Sequence, residues 1–156
     1  MNLEIERKFL MDLKHWPNNV KGVLYFQGYL AITNKGIVRV RIKGDASLIT
    51  VKSSGIGLSR DEFEYEIPLD EAQALLNLCQ NDIIKKTRYK ISVHGKQWDV
   101  DEFHGKNKGL WLAEVELEAE DEMVTLPPWA VKEVTDNEHY YNAYISKNPF
   151  GEWDHE

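Results

Sequence analysis

The stretch Glu4-Ile5-Glu6-Arg7-Lys8, near the start of the chain, decides the fold because its charges recur with a period of two. In a β-strand the side chains at i, i+2 and i+4 lie on one face, so Glu4, Glu6 and Lys8 point one way and Ile5 points the other. The stretch therefore predicts a strand with one charged face and one apolar face.

The same alternation returns along the rest of the chain. Its further charged members are Arg39 and Arg41, Lys52, Glu62, Glu64 and Glu66, Lys86, Arg88 and Lys90, Asp99 and Asp101, and Glu114, Glu116 and Glu118. Turn signals rich in Gly and Asn separate these segments. We predict eight strands, near residues 3–11, 22–33, 37–43, 47–53, 61–68, 85–94, 96–104 and 110–119. Short connections favour antiparallel neighbours, and an even number of antiparallel strands can close into a barrel.

The predicted amphipathic helices indicate which face of the barrel strands points into the lumen. The spacing of apolar residues predicts a helix over 70–81 and shorter ones near 12–20 and 136–147. If the apolar strand face pointed inward, the charges would be ordinary solvated surface and the helices would have nothing to cover. The prediction is therefore mainly β (α+β): a closed eight-stranded antiparallel barrel, or tunnel, with a charged polar lumen and helices packed outside.

Composition narrows the class of protein. The 156 residues, 42% hydrophobic and 29% charged, predict a single domain over 1–156. A net charge of −7 argues against nucleic-acid and anionic-membrane partners, whereas the clustered basic residues indicate a small anionic ligand. The single Cys79 and the absence of an apolar leader or span predict a cytoplasmic protein. The oligomeric state is left open, with a homodimer as one option.

Both signs of charge on one face indicate a particular chemistry. A small polyanion needs several cations distributed along its charged atoms, and a hard divalent ion such as Mg²⁺ or Mn²⁺ needs oxygen ligands, chiefly carboxylates. Acids outnumber bases on the inferred inner face, so a polyanion would bind poorly there without a divalent ion. The pattern predicts a metal-dependent site for a small polyanion.

Taken in order, the motifs resemble those of a known family. They are Glu4-x-Glu6-x-Lys8, Arg39-x-Arg41, Lys52, Glu64-x-Glu66, Lys86-x-Arg88, Asp101 and Glu114-x-Glu116. Over most of the chain this set resembles the CYTH superfamily, the triphosphate tunnel metalloenzymes. The segments 26–30 and 133–135 resemble its compact bacterial branch, whose characterised members hydrolyse inorganic triphosphate. The resemblance implies a tunnel fold and metal-dependent hydrolysis of tripolyphosphate to pyrophosphate and phosphate.

The resemblance also implies roles for individual residues. The implied metal ligands are Glu4, Glu6 and Glu116, with Glu64, Asp101 and Glu114 available to a second ion. The implied substrate-binding cations are Lys8, Arg39, Arg41, Lys52, Lys86 and Arg88. Catalytic roles in positioning water and stabilising charge fall to Lys8, Glu66 and Glu114. Attack by metal-activated water would need no protein nucleophile.

Other functions stay open beside this one. Nucleoside or thiamine triphosphates are rival substrates, and a non-catalytic polyphosphate-binding module is the alternative from a different class. Adenylyl cyclase activity is disfavoured because the cyclase branch carries a His-Phe pair upstream of Glu4, where only Met1-Asn2-Leu3 stand here. Lys132 stands where relatives carry Arg, which keeps the charge but removes the forked geometry.

Overall fold

The computed structural model describes residues 3–54 and 58–154, so residues 1–2, 55–57 and 155–156 of the predicted domain lie outside the described part. The strands are Leu3–Met11 (β1), Gly22–Ile32 (β2), Gly36–Lys43 (β3), Ala46–Ser53 (β4), Ser59–Glu66 (β5), Ile84–Val93 (β6), Lys96–Phe103 (β7), Trp111–Glu116 (β8) and Ala130–Glu133 (β9). The α-helices are Leu69–Leu76 (α1) and Asn142–Lys147 (α2). Short 3-10 turns cover Leu13–His15, Gly105–Asn107, Glu138–Tyr140 and Phe150–Glu152.

The first eight strands form the predicted closed antiparallel barrel. Around the wall the order is β5-β4-β3-β2-β6-β7-β8-β1, and β1 returns to β5 through the pairs Leu3↔Asp61, Glu4↔Arg60 and Ile5↔Ser59. Because every neighbouring pair is antiparallel, the period-two pattern of each strand continues onto the next. The predicted charged face thereby becomes one continuous inner surface.

The short strand β9 was not predicted. It pairs with β1 at Phe9↔Glu133 and Leu10↔Lys132, beyond the part of β1 that pairs with β5. Four residues are too few for an alternation pattern to be distinguished from a loop, so β9 exists because β1 offers it free backbone groups.

Helix α1 packs on the outer surface of β2, β3 and β4, as predicted. A close approach there explains Gly28, since a Cβ at this position would lie 2.7 Å from both Cys79 Sγ and Ile83 Cδ1. The helix is shorter than the predicted range of 70–81. The prediction that helices cover the apolar outer face of the barrel is wrong at Val51 and Tyr65, which are 41% and 60% exposed.

The predicted helix near 12–20 is also wrong. Only the single 3-10 turn Leu13–His15 forms, with Asp12 accepting a hydrogen bond from Lys14 N–H. Pro17 disfavours helical geometry at the preceding residue, and Trp16 is extended. The Trp16 ring instead packs on Trp129 at a centroid distance of 5.1 Å. An aromatic cluster of loop residues thus covers the apolar outer face of β1, β7 and β8.

Helix α2 lies across one end of the barrel. Its Ile145 is fully buried against inward-facing apolar residues from the ends of several strands, including Tyr29, Ile84, Phe103 and Leu112. The lumen therefore changes from charged to apolar at this end, and α2 covers the apolar part. Among the described residues, no helix is long and apolar enough to cross a membrane.

Candidate functional site

The barrel encloses a cavity of about 790 Å³ that brings most of the predicted site residues together. The predicted residues that line it are Glu4, Glu6, Lys8, Arg39, Arg41, Lys52, Glu64, Arg88, Glu114 and Glu116. Register explains their meeting, because β1 and β8 place Glu6 opposite Glu116 and Lys8 opposite Glu114. Side chains on one face of directly paired residues are within reach of each other.

One side of the lumen is a carboxylate cluster, the acidic wall, formed by Glu4, Glu6, Glu114 and Glu116 on β1 and β8. Lys52 Nζ donates to Glu4 Oε1 at 2.7 Å, and Lys8 Nζ lies 3.4 Å from Glu114 Oε1. Burial alone would raise the pKa of both carboxyls. The attraction of the adjacent ammonium groups outweighs this effect of burial. The pKa of Glu4 is therefore lowered, and that of Glu114 lies well below its usual range.

Glu6 behaves differently from its neighbours. Burial, followed by the nearby charges of Glu114 and Glu4, raises its pKa well above the ordinary value. Lys52 and Lys8 act in the opposite direction but do not compensate. The repulsion among these carboxylates therefore disfavours the ionised form of Glu6, and a bound cation would relieve that repulsion.

The donor set of the acidic wall fits a hard divalent ion, since its ligands are carboxylate oxygens. Within residues 3–54 and 58–154, no three His, Cys, Asp or Glu side chains are already gathered in a metal-binding arrangement. The hydrogen bond from Lys52 occupies an oxygen of Glu4. An incoming ion would therefore compete with this ammonium group for Glu4.

A second part of the lumen, the arginine wall, extends from β8 over β7, β6, β2 and β3 and consists of Gln27, Arg41, Lys86, Arg88 and Asp101. Arg88 donates to both oxygens of Asp101 at 2.8 and 2.9 Å, and Lys86 Nζ donates to Oδ2 at 2.8 Å. Arg41 Nε donates to Gln27 Oε1 at 2.8 Å. Each charge here has a partner with good geometry.

Burial and pairing set the pKa values of the arginine wall. Burial would raise the pKa of Asp101, but Arg88 and Lys86 hold it well below its usual range. Burial lowers the pKa of Lys86 to about 7, although Asp101 opposes the shift. Burial, Arg39 and Arg88 lower the pKa of Arg41 to about 9. Several cations thus share a small, poorly hydrated space.

Arg39 has hydrogen-bonding capacity to spare. Its Nη2 donates to Thr50 Oγ1 at 3.3 Å and lies 3.8 Å from Glu64 Oε2. Its Nε is buried without a hydrogen-bond partner among the described residues. The weak contacts of Nη2 leave the end of the guanidinium group, which lines the cavity, available to a ligand.

Three predicted site residues lie elsewhere. Glu66 is exposed near the end of β5 and does not line the cavity. Lys86 and Asp101 are 0% and 1% exposed and lie behind the cavity surface, where they are bonded to each other.

The structure adds residues that the sequence prediction omitted. Arg60 lines the cavity two positions before Glu62, so strict extension of the alternation along β5 would have included it. The Tyr25 ring lies between the guanidinium groups of Arg41 and Arg88, at 5.1 and 5.0 Å. Asn142 of α2 lines the cavity too, and no pattern in the sequence connects it to the barrel.

Comparisons with known proteins agree with this architecture. The CYTH domain family matches residues 2–148. An inorganic triphosphatase of Acetivibrio thermocellus is 44% identical over 151 residues, which covers 96% of this chain and 97% of the relative. One of Nitrosomonas europaea is 36% identical over 148 residues, covering 92% and 96%. A crystal structure of an inorganic triphosphatase superposes with a TM-score of 0.67 at 32% identity, covering 91% of this chain and 96% of that one.

Proposed function

The chain belongs to the CYTH domain family, and on that premise we propose that it is a metal-dependent triphosphatase that hydrolyses inorganic tripolyphosphate to pyrophosphate and phosphate. The similarity to inorganic triphosphatases over nearly the whole chain supports this activity. We treat residues 1–156 as one domain. Its single free Cys79 favours a reducing compartment, and we propose the cytoplasm.

The observation that carries the proposal is the presence of carboxylates and guanidinium groups in the lining of one cavity. Carboxylates of the acidic wall and guanidinium groups share a space of about 790 Å³. Carboxylates alone would repel a polyphosphate, and cations alone would bind it without recruiting a metal. The combination suits a metal complex of a short polyanion.

We propose that Glu4, Glu6, Glu114 and Glu116 hold the divalent ion, Mg²⁺ or Mn²⁺, with Glu64 available to a second ion. When bound, the ion supplies charge neutralisation and activation of the attacking water. Asp101 was predicted as a ligand as well. Because both of its oxygens accept from Arg88 and Lys86, we propose instead that it orients Arg88.

The cations of the cavity would bind and orient the substrate. Arg39, Arg41 and Arg88 present forked donors suited to phosphate oxygens, and Lys8 and Lys52 act as point charges. These contacts hold the chain of phosphates in line for attack and stabilise the charge that develops on the leaving oxygen.

Two further groups, Lys86 behind the cavity surface and Glu114 in its lining, differ in protonation. Lys86, whose pKa is lowered towards neutrality by burial, is able to exchange a proton at Nζ near neutral pH. Glu114, ionised beside Lys8, is placed to orient water between the two walls. Glu66 lies outside the cavity surface, so its earlier catalytic role passes to Glu114 in this proposal.

The test is phosphate release from tripolyphosphate, ATP and thiamine triphosphate, each with Mg²⁺, with Mn²⁺ and after metal removal by a chelator. We expect the highest kcat/KM for tripolyphosphate and no turnover without metal. Glu4→Gln should lose most activity, because Gln keeps the shape but weakens the ligand charge. Glu120→Gln, an exposed acid outside the cavity lining, should retain it.

Each alternative has its own outcome in this assay. Faster release from ATP or thiamine triphosphate would assign an organic substrate to the same site. Tight tripolyphosphate binding without release would identify a binding module. Turnover that persists in Glu4→Gln would reject the metal assignment.

A further inference from the structure

A single oxygen atom of α2 accepts hydrogen bonds from two side chains of the arginine wall. Asn142 Oδ1 accepts from Gln27 Nε2 at 3.2 Å and from Lys86 Nζ at 3.1 Å. Both donors are 0% exposed, so neither can replace this acceptor with bulk water. Asn142 is thus the point at which the end of the barrel closed by α2 is tied to the lumen.

From this oxygen two chains of hydrogen bonds lead to two arginines of the cavity. On one side Gln27 Oε1 accepts from Arg41 Nε at 2.8 Å. On the other side Lys86 Nζ also donates to Asp101 Oδ2 at 2.8 Å. The second chain is completed by Arg88, which grips Asp101 with two donors.

The direction of each bond in the network is determined by chemistry. Arg41 only donates, so Gln27 must present its oxygen to Arg41 and its NH₂ to Asn142. Asn142 must then present its oxygen to the Gln27 NH₂, and the same oxygen accepts from Lys86 Nζ. Without the oxygen of Asn142, the Gln27 NH₂ would lose its acceptor in this network, and the bond to Arg41 alone would hold the amide in its orientation.

The two chains meet again on the far side of the arginines. The Tyr25 ring lies between the guanidinium groups of Arg41 and Arg88, within cation–π distance of both. Tyr25 is 3% exposed, so packing holds the ring in place. The arginines are therefore constrained laterally by Tyr25 and at their base by partners that Asn142 organises.

We propose that Asn142 is a positioning residue of the site: its side-chain oxygen orients Gln27 and Lys86, and through them it sets the geometry in which Arg41 and Arg88 meet the phosphates. This inference rests on the proposed function for its effect on turnover. It also makes α2 part of the site, because the helix supplies the atom that completes the lumen network. Asn142 acts through its neighbours in this role and needs no contact with substrate.

The test compares Asn142→Ala with Asn142→Asp and with Asn148→Ala. Aspartate keeps an acceptor oxygen at the same place and should recover most of the activity. Asn148 caps the same helix and is exposed, and its side-chain amide donates to the Tyr144 carbonyl, so its variant controls for loosening of α2. We expect Asn142→Ala to lower kcat/KM for tripolyphosphate roughly 10- to 100-fold, as misplaced binding groups do. Asn148→Ala should stay within about twofold of the wild type, as expected of an exposed position outside the site.

A spectroscopic readout separates positioning from activity. The Nε–Hε resonance of Arg41, assigned by its loss in Arg41→Lys, reports the bond to Gln27 in a ¹⁵N correlation spectrum. Asn142→Ala should shift or broaden this signal, and neither Asn142→Asp nor Asn148→Ala should. If the alanine variant is not folded by circular dichroism, Asn142→Ser replaces it, because its hydroxyl is too short to reach both donors.

The outcomes are distinct. A wild-type protein without turnover would reject the proposed function, while the Arg41 signal would still test the positioning of Arg41. An unmoved signal with normal kcat/KM in Asn142→Ala would overturn the positioning role. Equal losses in Asn142→Ala and Asn148→Ala, or no recovery in Asn142→Asp, would also overturn it.

Discussion

The two walls of the lumen differ in how the fold treats a buried carboxylate. In the arginine wall, the buried carboxylate of Asp101 is fully engaged by two cations, and its pKa is far below the usual range. In the acidic wall, the pKa of Glu6 is raised well above the usual value because burial and neighbouring carboxylates disfavour its charge. Asp101 is thus neutralised within the fold, whereas the charge of Glu6 is opposed by its surroundings and would be stabilised by a bound cation.

The alternating charges of the strands therefore include residues with a structural role, such as Asp101, and residues suited to bind a ligand, such as Glu6. A paired buried charge stabilises the fold only together with its partner, so removal of one member is costly. A crowded carboxylate opposes the fold and is kept for its ability to attract a cation. The two walls should therefore answer the same kind of substitution in opposite ways.

The largest effect is expected in the arginine wall. Asp101→Asn leaves Lys86 and Arg88 buried without their counter-charge, which typically costs about 3–5 kcal/mol of unfolding free energy. Urea denaturation of the metal-free protein measures this loss. A variant as stable as the wild type would show that the fold does not depend on this pairing.

The acidic wall should lose activity while keeping its stability. Glu6→Gln removes a ligand charge, and we expect turnover of tripolyphosphate to fall about 100-fold or more. Folding disfavours the charge of Glu6, so the stability associated with its protonated form is lost as pH rises through its raised pKa. Gln has no such charge, and the metal-free variant should therefore melt at or above the wild-type temperature at neutral pH.

A calorimetric scan of both proteins checks the second half of this expectation, with Glu120→Gln as the matched exposed control. A marked drop in the melting temperature of Glu6→Gln alone would mean that the acidic wall holds the barrel together. The contrast between the walls would then disappear.

The smallest expected effect is the pH dependence of the difference in unfolding free energy between the wild type and Asp101→Asn. The depressed pKa of Asp101 contributes stability that is present above its unfolded pKa of about 3.9 and is lost as pH falls towards the folded value. Below about pH 4 the stability gap between wild type and Asp101→Asn should narrow by about 1.4 kcal/mol per pH unit. Urea midpoints measured between pH 5 and pH 2.5 give this slope, and a constant gap would contradict it.

Local patterns were enough to predict the barrel wall. Period-two alternation identifies a strand and assigns each side chain to a face, so Glu4, Arg39 and Glu114 could be placed on one inner surface. The need of an amphipathic helix for an apolar partner turned that surface inward. The same reasoning over-extended α1, because it detects an apolar face but not where tertiary contacts stop.

The tertiary structure decided how the strands align, how deeply each charged side chain is buried and which distant residues it contacts. Alternation assigns Glu66 and Glu64 to the same face, but only the closed barrel shows that Glu64 borders the cavity and Glu66 does not. It likewise treats Lys86 as an open cation, although the fold buries it against Asp101.

The sequence by itself determined the alternation of faces, the presence of both charge signs in one lumen and the family to which the chain is similar, because these depend on neighbours two residues apart and on ordered motifs. Only the tertiary structure decided which charges neutralise each other and which remain available. It joined Asn142 to Gln27 across 115 positions of sequence, because a hydrogen bond depends on distance in space and no periodicity encodes that pairing.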